Sequence, residues 1–454
     1  MGRPALHLLR SRGLRAVSRG RACRPKRGRA GEGDARDPEA RDVREVLARR
    51  AYPAPPTLAG AQRGTLSRRH RVRILVVVQR YGAEVVGGSE SHARVVAHRL
   101  AMVNEVEVAT TNALDYWSWA PYFAAGESMD GPVRVRRFAV TGLRSTTFKE
   151  SERHILFEPH TLADEQGWLA MQGPHTPELL EFLRREGKSY DAILFYTYIY
   201  EPTAAGLPLV PERAGLVSTA HDEEPLRLVP YRALFQLPRA FGFLTPEERD
   251  LVHARFRNEH IPSEVLGIGL DAPPWHDPEP FRDHYAPRGP LVVYLGQVSE
   301  GKAVDELLAD WIAYRESGGA GSLVLAGTAR MPIPERDDIV ALGRVSDEEK
   351  YALLEAADAL VLPSHLESLG IVLLEAWQVG TPCLVSAKNK VTSGQVIRAS
   401  GGAAYDRGGF ATALAEVLAR RDELGASGRA YVERECTWPA FDGRLEQLVD
   451  LVAN

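Results

Sequence analysis

The stretch "ALGRVSDEEKYALLEAADALVLPSHLESLGIVLLEAWQVGTPCLVSA" (341–387) alternates between two kinds of segment. "VSDEEKYALLEAA" has helical apolar spacing, and Ser346 with Glu349 three residues later indicates a capped helix start. "DALVLPS" and "TPCLVS" are short apolar runs typical of buried strands. "GIVLLEAWQVG" lies between these two runs and predicts a second helix. The order helix, strand, helix, strand predicts a parallel α/β sheet.

The same alternation continues outside this stretch. Upstream, "RVRILVVVQR" (71–80) and "YDAILFYTY" (190–198) predict strands. "TPEERDLVHARF" predicts a helix with Thr245 as N-cap and Pro246 in its first turn. A segment rich in proline and charge at 271–289 separates two runs of alternation. The sequence therefore predicts two parallel-sheet α/β domains with right-handed crossovers.

Length and composition limit the class of protein. The chain of 454 residues is long enough for two full-sized domains, and a net charge of -4 gives no bulk attraction for nucleic acid. Three cysteines lie far apart and offer neither a disulfide framework nor a zinc spacing, which favours a cytoplasmic protein. No apolar stretch approaches the ~20 residues of a membrane span.

The first seventy residues differ from the rest of the chain. Residues 1–30 carry ten lysines and arginines and no acid, and the following segment has mixed charge with glycine, alanine and proline. Such a composition predicts a disordered basic leader over residues 1–70. Two alternatives stay open: a start codon assigned too far upstream, and a basic tether that gives peripheral contact with the inner membrane face.

Glycine-rich and charged segments follow the predicted strands. In open parallel sheets, ligands bind beyond the carboxyl ends of the strands. The segments at these ends are "GGSE" (87–90), "NALDYWSWAPYF" (112–123), "HDEE" (221–224), "GQVSEGK" (296–302), "GTAR" (327–330) and "SHLESLG" (364–370). Their convergence on one rim predicts a ligand cleft between the two domains.

Three of these segments suggest an anionic ligand. Gly87 and Gly88 open a helix, where backbone N–H groups can approach an anion, although a tight turn would use the same glycines. Lys302 precedes a helix and suits a phosphate. His221 can donate a hydrogen bond or a proton, or it can be satisfied within the fold. The acids that follow His221 are adjacent rather than at ligand spacing, so no metal site is predicted.

Aromatic and acidic residues add two further expectations. Trp117 and Trp119 can stack on a sugar or pack the loop onto the domain. Glu375 lies within an apolar helix, where an ionised carboxylate is costly unless it is paired or hydrogen-bonded. Its partner is expected to be a basic side chain, backbone donors or a polyol. Gly370 is predicted to start this helix, with Ser364 or Ser368 as the cap.

The segment 341–387 closely resembles the donor-site signature of family 4 glycosyltransferases, in which two glutamates are separated by seven residues. Glu367 and Glu375 meet that spacing, and "GGSE", "TAHDE", "GIGLD" and "YLGQVSEGK" follow in the order of that family. The resemblance covers about residues 72–454. It implies the GT-B fold, with two Rossmann-like parallel-sheet domains facing across a cleft and a C-terminal helix crossing back.

The resemblance also implies domains and site residues. It implies an acceptor domain at 71–284, a donor domain at 285–437 and a helix at 438–454 that packs on the acceptor domain. The residues implied in catalysis are Lys302, Glu367 and His221. The residues implied in donor binding are Gly87, Gly88, Gln297, Arg330, Arg344, Val345, Ser368, Leu369, Gly370 and Glu375. Acceptor contacts are expected from Glu90, Trp117 and Trp119.

One position departs from the family pattern. The family has arginine where this chain has Gln297, so half of the expected cationic clamp on the diphosphate is missing, and Arg330 is the expected substitute. Family 4 enzymes are retaining and need no metal for the chemistry. The implied activity is therefore transfer of a hexosyl group with retention, in which Lys302 and a helix N-terminus stabilise the leaving diphosphate.

The expected function is transfer from a nucleotide-diphosphate sugar to a glycan, lipid or small-molecule acceptor in cell-envelope or polysaccharide biosynthesis. No cofactor and no nucleic acid partner are expected. Two alternatives are a non-catalytic homologue that binds nucleotide sugars or glycans, suggested by Gln297, and a glycoside hydrolase or phosphorylase. A hydrolase would use Glu367 and Glu375 as acid and nucleophile, but this interpretation leaves Lys302 and the phosphate-type loops unexplained.

Overall fold

Two parallel sheets make up the computed structural model, which describes residues 71–85 and 87–454. The strands of the first sheet are β1 (Arg73–Val77), β2 (Glu105–Thr111), β3 (Gly126–Asp130), β4 (Val133–Phe138), β5 (Ala192–Tyr196), β6 (Ala214–Val217), β7 (Ala240–Phe243) and β8 (Ser263–Val265). Those of the second are β9 (Leu291–Leu295), β10 (Ser322–Ala326), β11 (Ile339–Gly343), β12 (Ala359–Leu362), β13 (Cys383–Ser386) and β14 (Gly402–Tyr405).

Helices connect the strands and cover the faces of both sheets. The helices of the N-terminal half are α1 (Gly88–Leu100), α2 (Phe148–Phe157), α3 (Leu162–Gln172), α4 (Pro177–Glu186), α5 (Glu201–Ala204), α6 (Val229–Leu234) and α7 (Pro246–Phe256). Those of the C-terminal half are α8 (Glu279–Tyr285), α9 (Val304–Glu316), α10 (Asp347–Ala356), α11 (Ile371–Gln378), α12 (Lys390–Ala399), α13 (Phe410–Ala419), α14 (Arg421–Glu435) and α15 (Trp438–Ala453).

Both sheets have the order of doubly wound folds. The first is β3-β4-β2-β1-β5-β6-β7-β8, parallel apart from the β3–β4 pair, and the second is β11-β10-β9-β12-β13-β14, parallel throughout. In the second sheet the chain moves outward from β9 to β10 and β11 and then returns to the other side of β9. The carboxyl ends of β9 and β12 therefore form a topological switch point, where open α/β sheets bind ligands.

Helix α15 returns to the first sheet, as predicted. It lies against β5 to β8, where Val452 and Leu448 occupy the space that a Cβ would need at Gly215 and Gly242, at 2.7 and 2.8 Å. The helix is also tied to α1, because Arg99 Nε donates to Asp442 Oδ1 at 2.9 Å and both side chains are buried. The last helix thus packs on the first sheet after the chain has completed the second sheet.

The helix caps and the linker that the sequence predicted can be compared with the structure. The Thr245 hydroxyl accepts from Glu248 N, and Ser346 with Glu349 forms a full capping box, so both predicted caps are confirmed. The predicted linker contains helix α8, which packs on α10 of the second half, and His276 lies 2.7 Å from Glu355. Helix α8 thus packs with the C-terminal half, and the domain boundary at 284/285 stays a prediction. The predicted leader at 1–70 lies outside the described residues.

Candidate functional site

A cavity of about 350 Å³ lies at the switch point of the second sheet. Its walls come from the end of β9, the turn before α9, the loop after β12 and the first turns of α11. Four charged side chains line it, namely Lys302, Lys350, Glu367 and Glu375. The sequence placed three of these four at the site, and the structure brings those three to one cavity.

Lys302 and Glu367 form an ion pair within this cavity. Lys302 Nζ donates to Glu367 Oε1 at 2.7 Å, and the two side chains are 38% and 23% exposed. Lys302 ends the 3₁₀ turn Glu300–Lys302, and the next residue, Ala303, adopts a left-handed conformation with φ of 54° before α9 begins. Because the pair is partly open to solvent, an incoming anion can compete with the carboxylate for the ammonium group.

Glu375 has a basic partner that the sequence did not identify. Lys350, on α10, donates from Nζ to Glu375 Oε1 at 2.7 Å and also lies 3.0 Å from Asp347. Burial raises the pKa of Glu375, and the Lys350 ammonium opposes that rise. The buried carboxylate is therefore satisfied by a charge pair at the cavity wall.

The start of α11 differs from the predicted serine cap. Gly370 occupies the N-cap position with φ of 64°, a left-handed conformation that glycine adopts without steric cost. Ser364 instead donates to Leu366 O, and in the described part of the chain no side chain caps this helix. The prediction of a serine cap is wrong. The uncapped N-terminus lies at the cavity, where helix ends favour anions.

His221 reaches the site from the N-terminal domain. It follows β6, and its Nε2 lies 3.1 Å from Ser368 Oγ, in the loop before α11. Burial lowers the pKa of His221; the Glu367 carboxylate opposes this shift and the Lys302 ammonium adds to it. The imidazole is thus held neutral and next to the ion pair of the other domain. A neutral histidine can donate one hydrogen bond to a ligand in the cleft.

Glu223 follows two residues later and carries a perturbed carboxyl group. Tyr198 Oη donates to Glu223 Oε1 at 2.8 Å. Burial raises the pKa of Glu223 to about 7, although the Tyr198 hydrogen bond opposes the shift. A half-buried carboxyl with its pKa raised towards neutral pH beside a cleft is a candidate for proton transfer. The "HDEE" motif contained this signal, but the sequence does not show which of its acids is buried.

The predicted acceptor residues have mixed outcomes. Trp119 is 1% exposed and its indole N–H donates to Gln172 O at 2.9 Å. It packs the loop onto the domain, so the prediction that it contacts an acceptor is wrong for this structure. Trp117 is 62% exposed and stacks against Tyr116 with ring centroids 4.3 Å apart, which leaves it available to a ligand.

Glu90 belongs to a buried polar cluster at the start of α1. It accepts from Gln79, Arg80 and Ser89, and a Cβ on Gly87 would lie 2.2 Å from Glu90 Oε2. Its carboxylate is therefore used within the fold, which argues against acceptor binding. Gly88 is exposed, and nothing lies within 4 Å of where its Cβ would be. Its expected approach to a diphosphate stays a prediction.

The remaining residues that were predicted to bind the donor do not line the cavity of Lys302. Gln297 and Arg330 are exposed, and neither lines the cavity of Lys302. The structure thus gives no support to Arg330 as the substitute for the missing arginine. Val345 packs against the core, Arg344 is exposed, and the Leu369 carbonyl accepts from Gln395 Nε2 at 2.9 Å. Their expected nucleotide contacts stay predictions.

Among residues 71–85 and 87–454, no group of three or more His, Cys, Asp or Glu side chains is arranged to hold a metal ion. Over the same ranges, no helix has the length and apolar character needed to cross a bilayer.

Two Rossmann-like sheets, a switch-point cavity and a returning C-terminal helix define the GT-B fold, which confirms the predicted fold class. Residues 281–426, about a third of the chain, match the family model "Glycosyl transferases group 1". A solved sucrose-phosphate synthase from Thermosynechococcus elongatus superposes with a TM-score of 0.61 at 17% identity, over 84% of this chain and 98% of that one.

Curated relatives agree with the family match. The glycogen synthase of Mycobacterium tuberculosis (strain H37Rv) is 31% identical over 39% of this chain, and the alignment spans 44% of that relative. D-inositol 3-phosphate glycosyltransferase 2 of Catenulispora acidiphila is 27% identical over 78% of this chain and 86% of its own length. The glycogen synthase match thus covers less than half of that relative, whereas the second match includes both domains.

Proposed function

We propose that the protein is a retaining glycosyltransferase that moves a hexosyl group from a nucleotide-diphosphate sugar to a glycan, lipid or small-molecule acceptor. The observation that carries this proposal is the ion pair of Lys302 and Glu367 beside the uncapped start of α11. An ammonium group and a helix N-terminus on one cavity suit a diphosphate. The group 1 glycosyltransferase match over the same residues supports this assignment.

Each residue of the cavity takes a role in this proposal. The diphosphate displaces Glu367 from Lys302, and the released carboxylate binds hydroxyl groups of the donor sugar. Glu375 binds the ribose hydroxyls at the inner wall and keeps Lys350 as its counter-ion. His221 donates a hydrogen bond to the transferred sugar from the opposite domain. Trp117 offers an exposed aromatic face to the acceptor.

The chemistry follows from the charge distribution. As the glycosidic bond to the leaving phosphate breaks, negative charge grows on the phosphate oxygens, and Lys302 with the α11 N-terminus stabilises it. The same phosphate accepts the proton of the acceptor hydroxyl, which attacks from the face that the leaving group vacates. This scheme retains the anomeric configuration and requires no metal ion.

The alternative of a glycoside hydrolase is less well supported. A hydrolase needs one of its two carboxyl groups protonated and the other free to attack. Here Glu367 and Glu375 each lie 2.7 Å from a different lysine ammonium group. Both carboxylates are therefore held as partners of cations, which favours a binding role.

The relatives suggest where the activity is used. One named relative is a glycogen synthase and the other a D-inositol 3-phosphate glycosyltransferase, and the resemblance to family 4 enzymes implies polysaccharide or cell-envelope acceptors. We therefore place this protein in polysaccharide or cell-envelope biosynthesis, and we propose a cytoplasmic location because nucleotide sugars are the donors.

A donor panel tests the proposed function. UDP-, GDP-, ADP- and TDP-sugars are incubated with the protein and simple sugar acceptors, and release of nucleoside diphosphate is measured together with the anomeric configuration of the product by NMR. The expected result is release from one donor class and a product with the donor's configuration. Binding without turnover by any donor would instead favour the non-catalytic homologue, and an inverted product would contradict retention.

A further inference from the structure

A second cavity, of about 220 Å³, lies on the N-terminal domain and is lined by four arginines. Arg227 ends a 3₁₀ turn, Arg232 lies on α6, Arg255 lies near the end of α7 and Arg257 follows that helix. Three separate segments of the chain thus bring guanidinium groups to one small cavity. We call this cavity the arginine pocket.

The arginine pocket carries an excess of positive charge. Arg227 lies 2.8 Å from Glu224 and 3.7 Å from Asp222, so one of the four guanidinium groups has carboxylate partners. Within residues 71–85 and 87–454, the structure shows no ion pair for Arg232, Arg255 or Arg257. Like charges gathered around one cavity repel each other unless an anion lies between them.

The backbone at Arg257 points to a use for its side chain. Arg257 occupies the C-cap of α7 with φ of 53°, in the left-handed region. Glycine is the common residue at such a helix end, because a Cβ is strained there. Arg257 lines the arginine pocket from this position, and backbone outliers of this kind cluster at functional sites.

A purely structural explanation accounts for only part of this arrangement. Basic residues at the C-terminal end of a helix are favoured by the helix dipole, which covers Arg255 and Arg257. It does not account for Arg227 and Arg232, which come from other segments. In addition, the Phe256 carbonyl at this helix end already accepts from Gln236 Nε2 at 2.7 Å.

The arginine pocket is separate from the donor cavity. No residue lines both cavities. Helix α7 begins next to the C-terminal domain, where Glu247 pairs with Arg398, and the arginine pocket lies at its other end. Eleven helical residues span about 16 Å. Arg255 and Arg257 therefore lie at the end of α7 that is away from the C-terminal domain, whereas Arg227 lies nearer the cleft, 3.7 Å from Asp222.

We propose that the arginine pocket binds a phosphate group of an anionic ligand, at a site distinct from the nucleotide-sugar cleft. Arginine forks bind phosphate oxygens in pairs, and several of them around one cavity give a strong oxyanion site. A volume of about 220 Å³ suits one or two phosphate groups better than a whole nucleotide. The phosphate can belong to a soluble phosphorylated molecule or to a lipid headgroup.

Calorimetric titration with pyrophosphate tests this site in the full-length protein, with Lys302→Ala as the background for every variant so that the donor cavity lacks its expected phosphate contact. Arg232→Gln/Arg255→Gln removes two guanidinium groups of the pocket, and we expect at least a tenfold loss of affinity. Arg249→Gln is the matched control, because Arg249 lies on α7 outside the pocket and pairs with Asp250. Lys302→Ala removes the expected phosphate contact of the donor cavity and should leave the pocket's affinity unchanged. Equal affinities for the double variant and the Arg249→Gln control would overturn the proposal.

A second variant separates binding from folding. Arg257→Gly places the preferred residue at the left-handed position while it removes one guanidinium group. We expect an unchanged or higher melting temperature together with a severalfold loss of pyrophosphate affinity. A lower melting temperature with unchanged affinity would assign Arg257 a structural role and contradict the proposal.

Vesicle flotation then identifies the source of the phosphate. If vesicles containing phosphatidylglycerol retain the wild-type protein but not Arg232→Gln/Arg255→Gln, and phosphatidylcholine vesicles retain neither, the ligand is a lipid headgroup. If pyrophosphate binds while both vesicle types fail to retain the protein, the ligand is a soluble phosphorylated molecule. Both outcomes support the pocket as a phosphate site.

Discussion

The two sides of the cleft use their polar residues differently. On the C-terminal side, Lys302 pairs with Glu367 at the surface of a cavity, so both charges remain accessible to a ligand. On the N-terminal side, Glu90 is buried with Arg80 and Gln79, and Trp119 is buried with its N–H bonded. The C-terminal side leaves its charged groups accessible to a ligand, whereas the N-terminal side uses these polar groups to hold its own loops in place.

This difference explains why donor and acceptor predictions fared unequally. A phosphate site needs charges at strand ends, and such charges stand out in a sequence. An acceptor surface needs exposed aromatic and polar groups. A sequence does not show which of these groups are buried by packing of their own loop. Trp117 and Trp119 lie two residues apart, yet one is 62% exposed and the other 1%.

The largest expected effect separates these two tryptophans. Trp119→Ala removes a buried ring and a hydrogen bond, and we expect it to lower the free energy of unfolding by about 3–5 kcal/mol. Trp117→Ala should change it by less than about 0.5 kcal/mol and instead weaken acceptor use. Chemical denaturation measures the first effect and the KM for the acceptor the second. A stable Trp119→Ala protein with impaired acceptor binding would reverse the two roles.

The next effect concerns the buried pair on the donor side. Lys350→Met leaves the Glu375 carboxylate, which is 15% exposed, without its counter-ion. Loss of one partner of a fully buried pair costs about 3 kcal/mol of unfolding free energy, and for this half-buried pair we expect about 2 kcal/mol. Lys388→Met is the control, because Lys388 pairs with Glu306 at a site where both side chains are nearly half exposed. That control should change stability by less than about 0.5 kcal/mol. If denaturant titrations gave the two variants equal losses of unfolding free energy, the Glu375 pair would contribute no more than an exposed ion pair.

The most gradual effect is a pH dependence on the N-terminal side. His92 is buried, its Nε2 donates to Gly267 O at 2.8 Å, and its Nδ1 lies 3.2 Å from the Tyr196 hydroxyl. Burial lowers the pKa of His92 to about 4, and the Gly267 carbonyl opposes the shift. Below pH about 6.5 the unfolded chain binds a proton that the native protein excludes. Stability should therefore fall by about 1.4 kcal/mol per pH unit from about pH 6.5 towards 4.

The control for this prediction is His92→Gln, which cannot titrate. Other groups add their own pH dependence, since burial raises the pKa of Glu248 to about 7. The difference in unfolding free energy between wild type and His92→Gln isolates the histidine. A difference that stays constant between pH 4 and 6.5 would contradict the assigned shift.

Local sequence signals predicted much of the fold. Thr245 and Ser346 cap their helices because capping depends on residues within one turn, and the strands were visible as buried apolar runs. Gly370 shows the limit of such signals. Two serines near the helix start fit the capping pattern, but a glycine in a left-handed conformation starts the helix without a side-chain cap.

The sequence predicted a site residue where the residues next to it in the chain showed that it required a partner. The apolar surroundings of Glu375 required a partner, yet its identity did not follow, because Lys350 lies 25 residues away on another helix. The arginine pocket was not predicted for the same reason. Its four arginines come from three segments, and packing alone brings them together.

The most direct test of the account is nucleoside diphosphate binding by calorimetry. Wild-type protein is titrated with UDP, GDP, ADP and TDP, and the titration with the tightest ligand is repeated with Lys302→Ala and with Lys388→Ala. We expect one diphosphate to bind and its affinity to fall about a hundredfold in Lys302→Ala, while Lys388→Ala stays within about twofold, because a charge-assisted hydrogen bond to a phosphate contributes about 2–3 kcal/mol. Equal affinities in the two variants, or no binding of any of the four diphosphates, would contradict a donor site at Lys302.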